Sequence, residues 1–421
     1  MKIGVVGIGR VGLPFAAVCS KHFDTIGIDI SESIVQAVNH WDSFAEPEVE
    51  KYIRAYNLKA STNFKLLSDR DLVFFFVGSQ TPGLGYSSKK LLASMEMAAP
   101  YIREKQVLVI STTIPPGELS SAIIPRLESI GILSKSKGLG YSPAMIALGS
   151  AINDFEKPNY IMIGESNKYV GDIVEKFWRV IAGEHVPIFR SSIANIALAK
   201  YTLNIALVMK ISLMSLVTEL CEKQSGDVDV IASIFKAEPR IAGTGMFRGG
   251  LGYGGTCFPV DVEAIRHECD RLGVPTSLLD AVTELNEWQV ERSVAIVKSF
   301  RKKKISVLGL TYKANTSIVE ASQGLEIARR LSEEGLDVTV YDPEGMPSAK
   351  TVLGDMVTYA RSLTEAISES DVIFVAVDWP EFKDLKESDF NPSQIVIDPW
   401  RLFKGRPLPS KYYGFGIGGK L

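Results

Sequence analysis

Apolar positions along the chain fall into short runs separated by glycine-rich turns. Lys2 to Val6 is apolar and β-branched, and a turn with three glycines leads into a helix-like stretch from Leu13 to His22. Thr25 to Ile30, Leu72 to Val77 and Val107 to Ser111 read as further strands. The last two are apolar throughout, as strands buried on both faces of a parallel sheet are. This alternation predicts a doubly wound α/β sheet. From Ile188 to Ser225 neither glycine nor proline occurs, and apolar residues recur at helical spacing. The pattern predicts one long helix capped by Ser191-Ser192. Its apolar content exceeds what one face of a small domain buries, so it reads as a connecting helix that also packs against another subunit, or as a core helix. A second helix runs from Leu278 to about Phe300 and ends in Arg301-Lys302-Lys303-Lys304, charges that a helix C-terminus favours. Alternation resumes with strands at Ile305 to Gly309, Asp337 to Tyr341, Val372 to Val377 and Ile395 to Ile397, and a helix from Gly324 to Gly335. The expected fold is two Rossmann-like doubly wound α/β domains, 1–190 and 301–421, joined by a central helical dimerisation domain, 191–300.

A length of 421 residues suits two or three domains. Hydrophobic residues at 46% and charged residues at 23% are those of a globular chain. A net charge of −3 argues against broad electrostatic binding to nucleic acid or to an anionic membrane. No unbroken apolar run approaches bilayer-spanning length, and the first residues already read as a strand, so a cytoplasmic location is expected. Cys19, Cys221, Cys257 and Cys269 lack C-x-x-C spacing, so neither a metal site nor a disulfide framework is expected.

Gly7-Ile8-Gly9-Arg10-Val11-Gly12 is a G-x-G-x-x-G sequence between a strand and a helix, and Asp29 ends the next strand 29 − 12 = 17 residues on. In that context it reads as a dinucleotide fingerprint. Gly7 permits the tight turn, Gly9 lets backbone approach the pyrophosphate, and Gly12 lets helix and sheet pack closely. Asp29 would accept hydrogen bonds from the adenosine ribose hydroxyls and repel a 2′-phosphate, so NAD is expected over NADP.

Gly243 to Gly255 holds seven glycines and runs into Thr256-Cys257-Phe258-Pro259-Val260-Asp261. So much glycine costs conformational entropy and suits a backbone that must approach a ligand. Cys257 stands where the loop passes into a helix, a position that acidifies a thiol and makes it a nucleophile. The other three cysteines read as small buried hydrophobes. A thiolate and NAD together can take an alcohol or aldehyde to an acid through a thioester.

Taken in order, these residues resemble the UDP-glucose/GDP-mannose dehydrogenase family over essentially the whole chain. The resemblance includes Thr81-Pro82, Ser111 to Gly117, Lys200-Tyr201-Thr202-Leu203-Asn204, the Cys257 loop, Gly309 to Lys313 and Tyr341-Asp342-Pro343. Leu13-Pro14, Pro115-Pro116-Gly117 and Val260 are similar to the UDP-N-acetylhexosamine branch, while Phe258 fits the glucose branch. The resemblance implies oxidation of a UDP-sugar at C6 with two NAD, in a homodimer. It places the thiolate at Cys257, with Lys200, Asn204 and Asp261 handling the substrate oxygen and protons. It puts Thr81 and Thr113 beside the cofactor, and Arg240, Gly254 and Lys313 on the nucleotide sugar. Lys200 and Asn204 are one helical turn apart, the spacing an oxyanion site needs.

Four segments depart from the family pattern, one of them the Thr-Pro loop, where Gly78-Ser79-Gln80 precedes Thr81-Pro82. Ala144, in Tyr141-Ser142-Pro143-Ala144, replaces a glutamate associated with water activation. Glu320 stands where the family has a cation, and Arg401 lies one position beyond the usual arginine. These departures keep two alternatives open: a nucleotide-sugar-binding homologue with reduced or lost turnover, and a β-hydroxyacid-type dehydrogenase.

Overall fold

The computed structural model describes residues 1–41, 47–78, 80–81, 85–133, 138–146, 149–239, 241, 246–408 and 411–418. They form two compact units, Met1–Thr202 and Leu203–Leu421.

In the first unit the strands are β1 (Lys2–Val6), β2 (Asp24–Ile28), β3 (Lys59–Ser61), β4 (Leu72–Phe75), β5 (Gln80–Thr81), β6 (Gly85–Tyr86), β7 (Val107–Ile110), β8 (Leu139–Tyr141), β9 (Ile161–Glu165) and β10 (Ile188–Ser191). Eight form one sheet in the order β10-β9-β8-β7-β4-β1-β2-β3, and β5 and β6 make a separate small hairpin. Strand order reverses between β1 and β4, which puts a ligand crevice at the carboxyl end of β1. The sheet is not wholly parallel as expected, because β8 and β9 pair antiparallel. One face is covered by an aromatic cluster in which Phe15 lies 4.7 Å from Phe74 and Phe74 lies 4.8 Å from Phe177, ring centre to ring centre.

Ile188 to Ser191, ahead of the expected Ser191-Ser192 cap, is a strand, β10. It pairs with β9, and Arg190 is held by carboxylates of Glu165, Asp172 and Glu175. The helix itself spans Ile193–Lys223, and Ser192 Oγ accepts the Asn195 N–H at 3.3 Å. Ile193, Ile196 and Ala197 belong to the first unit's core, and Met214 and Cys221 to a core cluster of the second. By length and composition this helix could cross a bilayer. It nevertheless carries the buried polar residues Lys200, Asn204, Ser212, Ser215 and Thr218.

The second unit contains helices Val228–Ala237, Phe258–Leu272 and Ser277–Ser299 ahead of a six-stranded parallel sheet. Its strands are β11 (Lys304–Leu308), β12 (Asp337–Tyr341), β13 (Thr358–Tyr359), β14 (Val372–Val375), β15 (Ile395–Asp398) and β16 (Lys411–Gly414), in the order β13-β12-β11-β14-β15-β16. Glu222, on the long helix, ties the helices to the end of this sheet. It accepts the Tyr413 hydroxyl at 3.0 Å and the Gly416 N–H at 2.8 Å, and it pairs with Arg292.

The two sheets repeat one local device. Gly7 has φ +86 and Gly309 φ +98, each just after the first strand of its sheet. A Cβ on Gly12 would stand 2.0 Å from the Gly7 carbonyl oxygen, and one on Gly324 2.2 Å from that of Gly309. An aspartate after the neighbouring strand closes each turn: Asp29 accepts the Ile8 N–H at 3.1 Å, and Asp342 the Leu310 N–H at 2.7 Å. Asp342 is 1% exposed and also accepts from the Thr311 N–H and hydroxyl, Trp379 Nε1, and the Glu344 and Gly345 N–H groups. Asp342→Asn places an N–H₂ group among donors. It is expected to destabilise the second unit by about 2 kcal/mol or more, read as a lower thermal midpoint.

Candidate functional site

The nucleotide cradle of the first unit follows from the glycine turn. Gly7 holds a φ that side chains rarely adopt, and the space in front of Gly9 is open, with nothing within 4 Å of an added Cβ. The Gly12–His22 helix starts behind it with no side-chain cap and no acidic residue in its first turn. The Leu13 N–H bonds the Gly9 carbonyl at 3.0 Å and the Phe15 N–H that of Val11 at 3.4 Å, so what this helix end offers an anion is chiefly the positive end of its dipole. Arg10 is exposed and Val11 half-buried at this mouth. Asp29 follows β2 directly, and its other oxygen accepts the Ser31 N–H at 3.0 Å. Each carboxylate oxygen accepts one backbone N–H and keeps a lone pair for a ribose hydroxyl. These residues fit NAD. Thr113 is half-buried in the loop after β7, and Thr81 lies in β5 with its side chain outside the described residues. Lys200 is 8% exposed on the long helix.

The second unit carries the thiol. Cys257 is exposed at the N-cap of the Phe258–Leu272 helix, which has Pro259 in its first turn and no side-chain cap. The Asp261 N–H bonds the Cys257 carbonyl at 2.8 Å, so one helical turn fixes the thiol relative to the Asp261 carboxylate. Asp261 is 1% exposed, and Asn204 Nδ2 donates to its Oδ2. Asn204 is 7% exposed and stands one turn after Lys200. Within the second unit, the Asn204 amide therefore meets a buried carboxylate that stands one helical turn after the exposed Cys257.

The loop leading to Cys257 is tightly clamped. The Gly252 N–H bonds Gln323 Oε1 at 3.0 Å, and Asn286 Oδ1 accepts the Tyr253 N–H at 2.7 Å while its Nδ2 donates to the Tyr253 carbonyl. The Gly255 N–H reaches the Glu320 carbonyl at 3.0 Å. A Cβ on Gly254 would meet the Ala321 oxygen at 2.2 Å, and one on Gly255 the Tyr312 ring at 2.7 Å. These positions explain the glycine content. Burial, with the charge of the nearby Cys257, pushes the Tyr312 hydroxyl up to about 12. Lys313 Nζ lies 5.7 Å from the centre of the Tyr312 ring.

Sequence reasoning missed Asn286, Gln323 and Tyr312 as supports of the loop, since nothing local marks residues so far from it in the chain. Arg240 lies outside the described residues, as do Gly243 and Gly245. Ala144 is half-buried and packs against the core of the first sheet.

Asp29→Ala is expected to weaken NAD binding and to cut the preference for NAD over NADP by roughly tenfold, about one 1.4 kcal/mol step. Fluorescence titration with both cofactors checks this, and equal affinities in the unaltered protein would refute the assignment.

Three sequence profiles of one family match the chain. They are those of the UDP-glucose/GDP-mannose dehydrogenase family NAD binding domain over residues 1–182, central domain over 195–288 and UDP binding domain over 306–405. YtcA of Bacillus subtilis, whose name assigns it provisionally as a UDP-glucose 6-dehydrogenase, is 31% identical over 418 residues, covering 96% of each chain. The UDP-glucose 6-dehydrogenase TuaD of the same organism is 27% identical and covers 98% of this chain and 92% of its own. The structure of a UDP-glucose dehydrogenase from Pyrobaculum islandicum superposes with a TM-score of 0.90 at 26% identity, over 99% of this chain and 98% of that one. A UDP-D-ManNAc dehydrogenase from Pyrococcus horikoshii shares the fold, with a TM-score of 0.86 at 21% identity over 99% of this chain and 100% of that one. The chain belongs to the UDP-glucose/GDP-mannose dehydrogenase family.

Proposed function

We propose that this protein oxidises the C6 hydroxymethyl group of a UDP-sugar, glucose or an N-acetylhexosamine, to the carboxylate through a thioester on Cys257. The observation that carries this reading is an exposed thiol at a helix N-terminus, fixed one turn from the buried Asp261–Asn204 pair. A binding protein has no need of such a thiol, and a β-hydroxyacid dehydrogenase has no need of a second α/β sheet.

Gly7, Gly9, Gly12 and Asp29 would hold NAD, which accepts a hydride in each oxidation. Lys200 and Asp261 draw the proton from the C6 hydroxyl as the aldehyde forms. Cys257 adds to the aldehyde carbon, and the ammonium of Lys200 and the amide of Asn204 stabilise the negative oxygen. Loss of the second hydride leaves a thioester, which water cleaves to the acid and free thiol. Thr113 lies beside the cofactor, and Arg240, Gly254 and Lys313 hold the nucleotide sugar. The long helix joins two copies: Met209, Leu213, Leu216 and Leu220 form an exposed stripe at i, i+4, i+7 and i+11. Leu213→Lys is then expected to shift the protein from dimer to monomer in sedimentation at micromolar concentration.

Ala144 sets the kinetics. Alanine takes no proton, and general-base help is typically worth ~10²–10⁴-fold. Thioester hydrolysis is therefore expected to limit turnover. Rapid mixing with a panel of UDP-sugars should give a burst approaching two NADH per site, then a slow steady rate. Mass spectrometry of quenched protein should find an adduct on Cys257, and Cys257→Ser should abolish both adduct and second oxidation. Activity with neither burst nor adduct would show that another group activates the water.

A further inference from the structure

We propose that Arg401 is a positioning residue for the loop that carries Cys257, with no part of its guanidinium left for a ligand. The proposal rests on the reading of Cys257 as the nucleophile. The Arg401 side chain is 2% exposed. Its Nε donates to Asp229 Oδ1 at 2.9 Å. Nη1 donates to the Pro399 carbonyl at 2.7 Å and the Phe415 carbonyl at 3.1 Å. Nη2 donates to the Arg248 carbonyl at 2.7 Å and the Gly249 carbonyl at 3.4 Å. A guanidinium has five N–H donors, and here all five have an acceptor. The acceptors come from four separate segments: the first turn of the Val228–Ala237 helix, the described start of the cysteine loop, the turn after β15, and the end of β16.

The backbone at Arg401 is itself unusual, with φ +59. A side-chain-bearing residue stays in that region only where its surroundings enforce it. The loop it grips is equally constrained. Gly249 has φ +69 and Gly250 φ +141, and a Cβ on Gly250 would come within 2.7 Å of the Trp400 ring. The Arg248 guanidinium lies 5.0 Å from the Trp400 ring centre and pairs with Asp378. Arg401 therefore anchors the loop at 248–249, while Asn286, Gln323 and the Glu320 carbonyl hold it at 252–255. Cys257 follows immediately. Release of the first anchor lets the loop slide, and a 1 Å misplacement of a reacting group can cost about 10²-fold in rate.

The test uses Arg401→Met and Arg401→Lys in the full chain. Folding is checked by circular dichroism and NAD binding by fluorescence. The readouts are the alkylation rate of Cys257 by iodoacetamide, assigned by peptide mass, and kcat and KM for UDP-sugar oxidation. In Arg401→Met the alkylation rate should fall at least about threefold and kcat about tenfold or more, with NAD affinity and sugar KM changed less than about threefold. Arg401→Lys, which keeps the charge and some donors, should recover part of both losses. A folded Arg401→Met with an unchanged or higher alkylation rate overturns the proposal. So does a loss confined to sugar KM, which would make Arg401 a substrate contact. If Arg401→Met does not fold, Arg401→Lys decides by the same readouts, and failure of both to fold overturns the proposal in favour of a purely architectural role. Should no UDP-sugar be oxidised, the proposed function fails, but the alkylation rates still judge Arg401.

Discussion

The constraint on which both halves depend is the closing of a glycine turn by an aspartate from the neighbouring strand. A strand that ends in a left-handed glycine turns its backbone sharply and leaves an N–H pointing out of the sheet. Asp29 accepts that N–H in the first sheet and Asp342 in the second. The turn then lets Gly12 or Gly324 bring a helix against it, where any Cβ would strike the turn's own carbonyl. The two turns differ in what they leave free. Asp29 is half-buried and accepts two backbone N–H groups, whereas Asp342 is enclosed under Trp379 by six donors. One copy of the device remains able to bind ribose hydroxyls; the other serves the fold.

The second half uses the space after its glycine differently. In the first sheet the helix begins five residues after Gly7; in the second, residues 310–322 intervene between Gly309 and the Gln323–Glu333 helix. That segment supports the cysteine loop through the Tyr312 ring and the carbonyls of Glu320 and Ala321. Backbone rather than side chain does this at position 320. The support given through the Glu320 carbonyl is thus independent of the side chain at that position.

The fold class, the fingerprint turn, the Asp29 position and Cys257 at a helix start were legible in the sequence, because each depends on local geometry. A glycine with positive φ, a strand of β-branched residues and a helix entered without a cap impose themselves within about ten residues. The end of β10 was not legible. Ile188 to Ser191 is compatible with either helix or strand until β9 offers a partner and three carboxylates collect Arg190.

The sequence by itself determined which chemistry the chain can carry: a thiol, a buried lysine and amide at helical spacing, and a cradle for a dinucleotide. Only the tertiary structure decided how the thiol is held. Asn286, Gln323, Glu320 and Arg401 lie far from Cys257 along the chain, and they converge because backbone carbonyls and N–H groups buried in the second unit must find partners. Those partners can come from any segment that packs nearby, so no spacing rule announces them. Arg401 shows the difference most plainly. In sequence it is an arginine slightly displaced from the family position, whereas in the fold its five donors are all spent on the chain itself.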